Sequence, residues 1–165
     1  MSIRMKVFGL TIDPLTNSPI LILKDLEGEK TVPIWIGLLE ATAIASELEN
    51  IKFSRPMTHD LMKNLMDQLG VKLVKIEICD LRDNTFFALM YMVSQGKEFS
   101  IDARPSDAIA LALRAEAPID VDETVIQKSK EIDLGAKEEI QTDESKKWTE
   151  ILESLNPEDF GKYKM

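Results

Sequence analysis

Twice along this chain, three runs of alternating character lead into a helix rich in alanine, and the two copies align without a gap. "IWIGLLEATAIA" (34–45) falls on "IDARPSDAIALA" (101–112). Ile34 then meets Ile101, Glu40 meets Asp107, and Ala41, Ala43 and Ala45 meet Ala108, Ala110 and Ala112. At the same spacing Val7 meets Val74 and Asp13 meets Asp80. A strand buries side chains with a period of two and a helix with a period near 3.6, so each copy has to present both patterns to one core. Strand-to-helix junctions share composition, which is one reading of the likeness. An internal duplication is the other, and the gapless register favours it. The expected fold is α+β: a mixed or antiparallel sheet with helices, built from two similar three-strand-plus-helices units.

The elements follow from punctuation. "MKVFGLTI" (5–12), "PILILKD" (19–25) and "KTVPIWIG" (30–37) read as strands, and "LLEATAIASELEN" (38–50) as a helix. "THDLMKNLMDQLG" (58–70) is a second helix, with Thr58 as N-cap, Leu61, Leu65 and Leu69 as its apolar stripe, and Gly70 as the stop. The second set is "VKLVKIEICDL" (71–81), "TFFALMYMVS" (85–94) and "KEFSIDA" (97–103), joined by short hairpin gaps and followed by the helix "PSDAIALALRAEA" (105–117). Residues 1–126 are therefore expected to form the domain. Residues 127–165 read as a charged linker, too poor in apolar side chains to order itself. Near its end Trp148, Ile151, Leu152 and Leu155 share one helical face, which stops at Asn156-Pro157. That short amphipathic helix either docks on a protein partner or a neighbouring subunit, or packs on its own domain.

Charge and composition remove several classes of function. The 165 residues carry a net charge of −9, with pI near 4.7, against the clustered basic surface of an electrostatic nucleic-acid binder. One cysteine (Cys79) and one histidine (His59) make neither an internal disulfide nor a structural zinc site. No apolar run reaches ~18 residues and no signal peptide is read at the start. The expectation is a cytoplasmic protein with no membrane partner. No GxSxG elbow, Walker A loop, GxGxxG or CxxC is found.

What remains is charge at the helix starts. Asp102, Arg104, Pro105, Ser106 and Asp107 crowd one junction. Proline suits the first helical position, which makes Asp107 the third; alternatively Ser106 is the N-cap. Capping uses one carboxylate, at about 1 kcal/mol, and leaves Asp102 unexplained. Arg104 can pair with either aspartate, and a capped, salt-bridged junction is the purely structural reading. A second Arg-Pro, Arg55-Pro56, precedes Thr58, His59 and Asp60 at another helix start. If both junctions face one cleft, a phosphodiester hydrolase takes shape. Asp102 and Asp107 would hold Mg²⁺ or Mn²⁺, and Arg55 and Arg104 would clamp a phosphate. His59 or Asp60 would activate water or protonate the leaving oxygen.

"VPIWIG" (32–37), "EATAIA" (40–45), "RPMTHDLM" (55–62) and "IDARPSDAIALALR" (101–114) stand in the order in which similar blocks occur in the bifunctional nuclease family. The chain resembles the small bacterial members of that family over about residues 1–126. The resemblance implies a compact α+β fold that self-associates, here expected as a homodimer, and nuclease activity on RNA and DNA. On the family blocks the candidates are His59, Asp60, Asp102 and Asp107 as catalytic residues, Arg55 and Arg104 for the substrate, and Asp102, Asp107 and Glu40 for the metal. Some relatives carry a further C-terminal interaction module, where this chain has the linker and the Trp148 helix. The competing expectation is a non-enzymatic binding or regulatory module, its junction charges serving only the fold and its tail recruiting a partner.

Overall fold

Six of the seven residues of Pro19–Asp25 are buried, although a strand facing solvent on one side should bury only every second residue. This strand (β2) lies between β1 (Ser2–Ile12) and β3 (Thr31–Trp35), antiparallel to both. The computed structural model describes residues 1–132. The expected helix bearing Trp148, Ile151, Leu152 and Leu155 lies outside the described residues.

The remaining elements are α1 (Leu38–Leu48), α2 (Thr58–Gln68), β4 (Val71–Arg82), β5 (Thr85–Ser94), β6 (Lys97–Ala103), α3 (Pro105–Ala115), β7 (Ile119–Asp122) and α4 (Glu123–Ile132). They form an α+β domain on a seven-stranded mixed sheet of order β3-β2-β1-β7-β4-β5-β6. Two antiparallel meanders, β1–β3 and β4–β6, stand on either side of β7, which pairs antiparallel with β1 and parallel with β4. The meander is a simple arrangement, so finding it twice does not by itself establish a duplication. The second meander turns on Asp83-Asn84 and Gln95-Gly96. All four have positive φ (50° and 59°, 50° and 73°), as two-residue hairpins that match the strand twist require.

Strand alternation decides which side chains meet the helices. Ala88, Met90 and Met92 of β5 are buried and stand opposite Ala103, Ile101 and Phe99 of β6. Asp102 stands opposite Leu89, on the other face of the sheet. Over the buried face lies α3, in contact with β4, β5, α1 and α2. Its Ala108–Ala112 are at most 1% exposed, because a helix covered from several sides has to be apolar all round, and alanine lets the neighbours approach.

Several sequence expectations are corrected. On α2 the stripe Leu61, Leu65 and Leu69 faces solvent (52%, 52% and 71% exposed). The inner face is His59, Lys63 and Met66, at i, i+4 and i+7, with Met66 the one buried residue. Spacing says which residues share a face, not which face meets the core. The cap of α2 is Met57 rather than Thr58, and Asp60 reaches back to accept from the Met57 amide at 3.0 Å. The chain does not become a linker at residue 127: α4 runs through it to Ile132 and buries Val125, Ile126 and Ser129. Among the described residues no helix is long and apolar enough to cross a membrane.

The exposures set a stability contrast. Leu111→Ala, at a fully buried position, is expected to lower unfolding free energy by about 2–5 kcal/mol. Leu65→Ala should cost no more than about 0.5 kcal/mol. Urea denaturation of the two variants checks this, and similar losses would put the α2 stripe in a core.

Candidate functional site

The junction charges form a continuous chain across three helices. Pro105 opens α3, which makes Asp107 its third residue and Arg104 its N-cap, as the first of the two registers expected. From there Asp107 accepts on both oxygens. His59 Nε2 lies 2.8 Å from Oδ1, and Arg104 Nε donates to Oδ2 at 2.9 Å. Arg104 Nη1 then donates to Glu40 Oε1 of α1 at 2.9 Å. Glu40 keeps its place because Gly37 has no side chain: a Cβ on Gly37 would collide with the Glu40 carboxylate. Burial raises the Asp107 pKa, but hydrogen bonds from Arg104 and His59 outweigh it and hold the carboxyl below its ordinary value. Arg104 is pushed the other way, above its ordinary value, by Asp107 first and Glu40 second.

Asp60 belongs to a second tie. Its Oδ1 accepts from Arg114 Nε at 2.7 Å and its Oδ2 from the Met57 amide. Arg114, only 6% exposed, also donates Nη1 to the carbonyls of Ala43 (3.0 Å) and Ala110 (2.9 Å). It thereby fastens α1, α2 and α3 together. Burial opposes ionisation of Asp60, yet Arg114 and the Met57 amide leave its pKa below the ordinary value. Asp60 is thus committed to positioning α2 rather than offering a free oxygen. Arg114 was missed in the sequence, although a lone arginine ending an otherwise apolar helix signals a buried charge in need of a partner.

Two cavities flank these ties. One, of about 400 Å³, is bounded by Lys52, Arg55, Asp60, Asn64 and Arg114. The other, of about 350 Å³, is bounded by Trp35, Gly37, Glu40, Asn84, Phe86 and Arg104. Arg55 and Pro56 border the first of these cavities and Arg104 and Pro105 the second, so the two Arg-Pro junctions do not line one common cavity.

The expected metal trio is not brought together. Asp102 sits on the opposite face of the sheet, where its charge acts on the Cys79 thiol, itself raised chiefly by burial. Both oxygens of Asp107 are engaged, and Glu40 is held by Arg104. Among the described residues no group of three His, Cys, Asp or Glu side chains is placed to hold a metal ion. These donors do not fit a resident cation.

The bifunctional nuclease domain family matches residues 21–133, a span that contains every block quoted above, and the chain belongs to that family. It is 37% identical over 161 residues to an uncharacterized protein of Mycobacterium tuberculosis, covering 94% of this chain and 96% of the relative. It is 26% identical over 109 residues to bifunctional nuclease 1 of Oryza sativa subsp. indica, covering 64% of this chain and 33% of the plant protein. The match to bifunctional nuclease 2 of Arabidopsis thaliana is 27% over 93 residues, covering 54% of this chain and 28% of that protein.

Two measurements check the geometry. Removing the Arg104 bond should raise the Asp107 pKa, so NMR titration of Arg104→Gln is expected to show Asp107 protonating at higher pH than in the parent chain. Because the folded pKa of Asp107 is depressed, its stability contribution is present above the unfolded value, about 3.9. It is lost as pH falls through the lower folded value, so the variant should be less stable than the parent chain near neutral pH, and that difference should shrink as the solution becomes acid. Gly37→Ala should displace the flexible Glu40 carboxylate while changing unfolding free energy by less than about 1 kcal/mol. An undisturbed Glu40–Arg104 pair in that variant would refute the steric argument.

Proposed function

We propose that this protein is a nuclease that hydrolyses phosphodiester bonds in RNA or DNA, with His59 and Asp107 as its acid–base pair. The observation that carries the reading is the 2.8 Å contact of His59 Nε2 with Asp107, beside Arg104, on residues within the family match. The plant relatives, named bifunctional nucleases, support the reaction class.

With Nε2–H donated to Asp107, the other ring nitrogen, Nδ1, is the one able to take a proton. It accepts that proton from the attacking water as the water oxygen bonds to phosphorus. Asp107 stabilises the imidazolium that forms, the bond to the ester oxygen breaks as that oxygen takes a proton from solvent water, and His59 then returns its own proton to solvent, which restores the pair. Negative charge growing on the phosphoryl oxygens is met by Arg104, and Arg55, on the other cavity, is available to a phosphate further along the strand. Glu40 positions Arg104, and Asp60 positions the α2 turn that carries His59. Asp102 has no part in this arrangement. No step is routed through a metal ion. The expected Mg²⁺ or Mn²⁺ would have to arrive with the substrate, since Mg²⁺ is often held mainly by phosphate and water.

One observation favours the second reading, a non-enzymatic binding module: both oxygens of Asp60 and of Asp107 already have protein partners. Rigorously purified protein acting on labelled single-stranded RNA and DNA separates the two. His59→Gln and Asp107→Asn are expected to cut at least about 10²-fold more slowly, the lower range for loss of general acid–base catalysis, with melting temperature tracked for each. Folded variants that cut like the parent chain would move the protein to the module reading. A chelator arm tests the cation: loss with EDTA and recovery with Mg²⁺ or Mn²⁺ would support it, and activity indifferent to EDTA would remove it.

A further inference from the structure

We infer that the cavity beside Arg104 is a nucleobase subsite, which accepts one unstacked base of single-stranded nucleic acid between Trp35 and Phe86; the inference rests on the nuclease reading. The cavity lies where β3 leads into α1 and β6 into α3, with Phe86 at the start of β5. Its volume, about 350 Å³, is in the range of small-molecule sites, roughly 300–1,000 Å³. Trp35 is only partly buried, and its indole N–H donates to Asp13 Oδ2 at 3.0 Å, so the ring is held in place before anything binds. A fixed aromatic wall loses little freedom on stacking a base.

The rest of the lining suits the edges of a base. Asn84 offers an amide donor and acceptor, and the hydroxyls of Ser18, Thr85 and Ser106 can serve as either. Arg104 stands in the same wall and bonds to Asp107, which bonds to His59. A base seated in the cavity therefore carries its own phosphate towards the arginine and the acid–base pair.

Net charge supplies an independent reason. At −9 the chain repels a polyanion at long range, so phosphate attraction cannot provide most of the affinity. Stacking can, at about 1–3 kcal/mol per base, and it is far less sensitive to salt. Aromatic walls reach a base only when it has left a duplex, which selects single strands and unpaired ends.

The test uses the full chain with Trp148→Phe, so that Trp35 is the remaining tryptophan of the two. Adenosine 5′-monophosphate is expected to quench Trp35 fluorescence and to bind at least tenfold tighter than ribose 5-phosphate. By calorimetry Trp35→Leu, Phe86→Leu and Asn84→Gly should each weaken the nucleotide and leave ribose 5-phosphate unchanged. Glycine is chosen at 84 because it tolerates the positive φ there. If Trp35→Leu fails to fold, Phe86→Leu and Asn84→Gly carry the test. Equal binding of nucleotide and ribose 5-phosphate, or NMR shifts confined to the Arg55–Arg114 cavity, would overturn the subsite. Cleavage separates this from the nuclease reading. If Trp35→Leu cuts normal and abasic strands at the parent rate while His59→Gln does not cut, the subsite falls and the nuclease stands. If nothing cuts but the nucleotide binds through Trp35, the subsite stands and the nuclease reading falls.

Discussion

One carboxylate holds the site together. Asp107 accepts from His59 of α2 with one oxygen and from Arg104 with the other, and Arg104 passes the contact to Glu40 of α1. Three helices are thereby tied through the first turn of α3. Such a network is stabilising only while every member has its partner, because partial burial that strengthens the bonds also penalises any charge left alone. The Asp60–Arg114 tie works in parallel on the same three helices. Helix α3 can serve as the common partner because its alanines let α1 and α2 come close.

Glu40 and Asp107 occupy aligned positions in the two copies of the strand-to-helix pattern. Each is the third residue of the helix that follows a meander. In the folded chain both meet the same arginine, since α1 and α3 lie against each other. Two like charges brought close in this way need a cation between them, and Arg104 is that cation. Where the aligned pair differs, the chemistry differs too: Asp107 also holds the only histidine, while Glu40 leans over a glycine.

Most of this was legible in the sequence for reasons that can be named. The strands of both meanders and the start of α3 at Pro105 follow from alternation and from proline at a first helical position. What escaped depended on tertiary partners. β7 is four residues long and is defined by the strands on each side of it, and α4 looked too polar because only Val125, Ile126 and Ser129 of its residues are buried. The inward face of α2 is chosen by a histidine-to-aspartate contact across 48 positions, not by its leucines. Asp102 is an instructive case. The alternation of "KEFSIDA" already puts Asp102 with Ser100 and Glu98, on the face opposite Phe99 and Ile101. Reading that parity through to the helix start would have separated it from Asp107.

The acidity of the chain and its family membership pull in opposite directions until the local arrangement is considered. Arg104 has more N–H donors than Asp107 and Glu40 use, so it can bridge two carboxylates and still present donors to a phosphate. The carboxylates lower the net charge around it, which weakens long-range capture of a polyanion. They also fix the guanidinium, so a phosphate that does arrive meets donors already in place. A site of this kind trades electrostatic reach for geometry. In the nuclease proposed above, such a site would favour a substrate delivered one nucleotide at a time by contacts that do not depend on charge, the contacts that the proposed base subsite beside Arg104 would make.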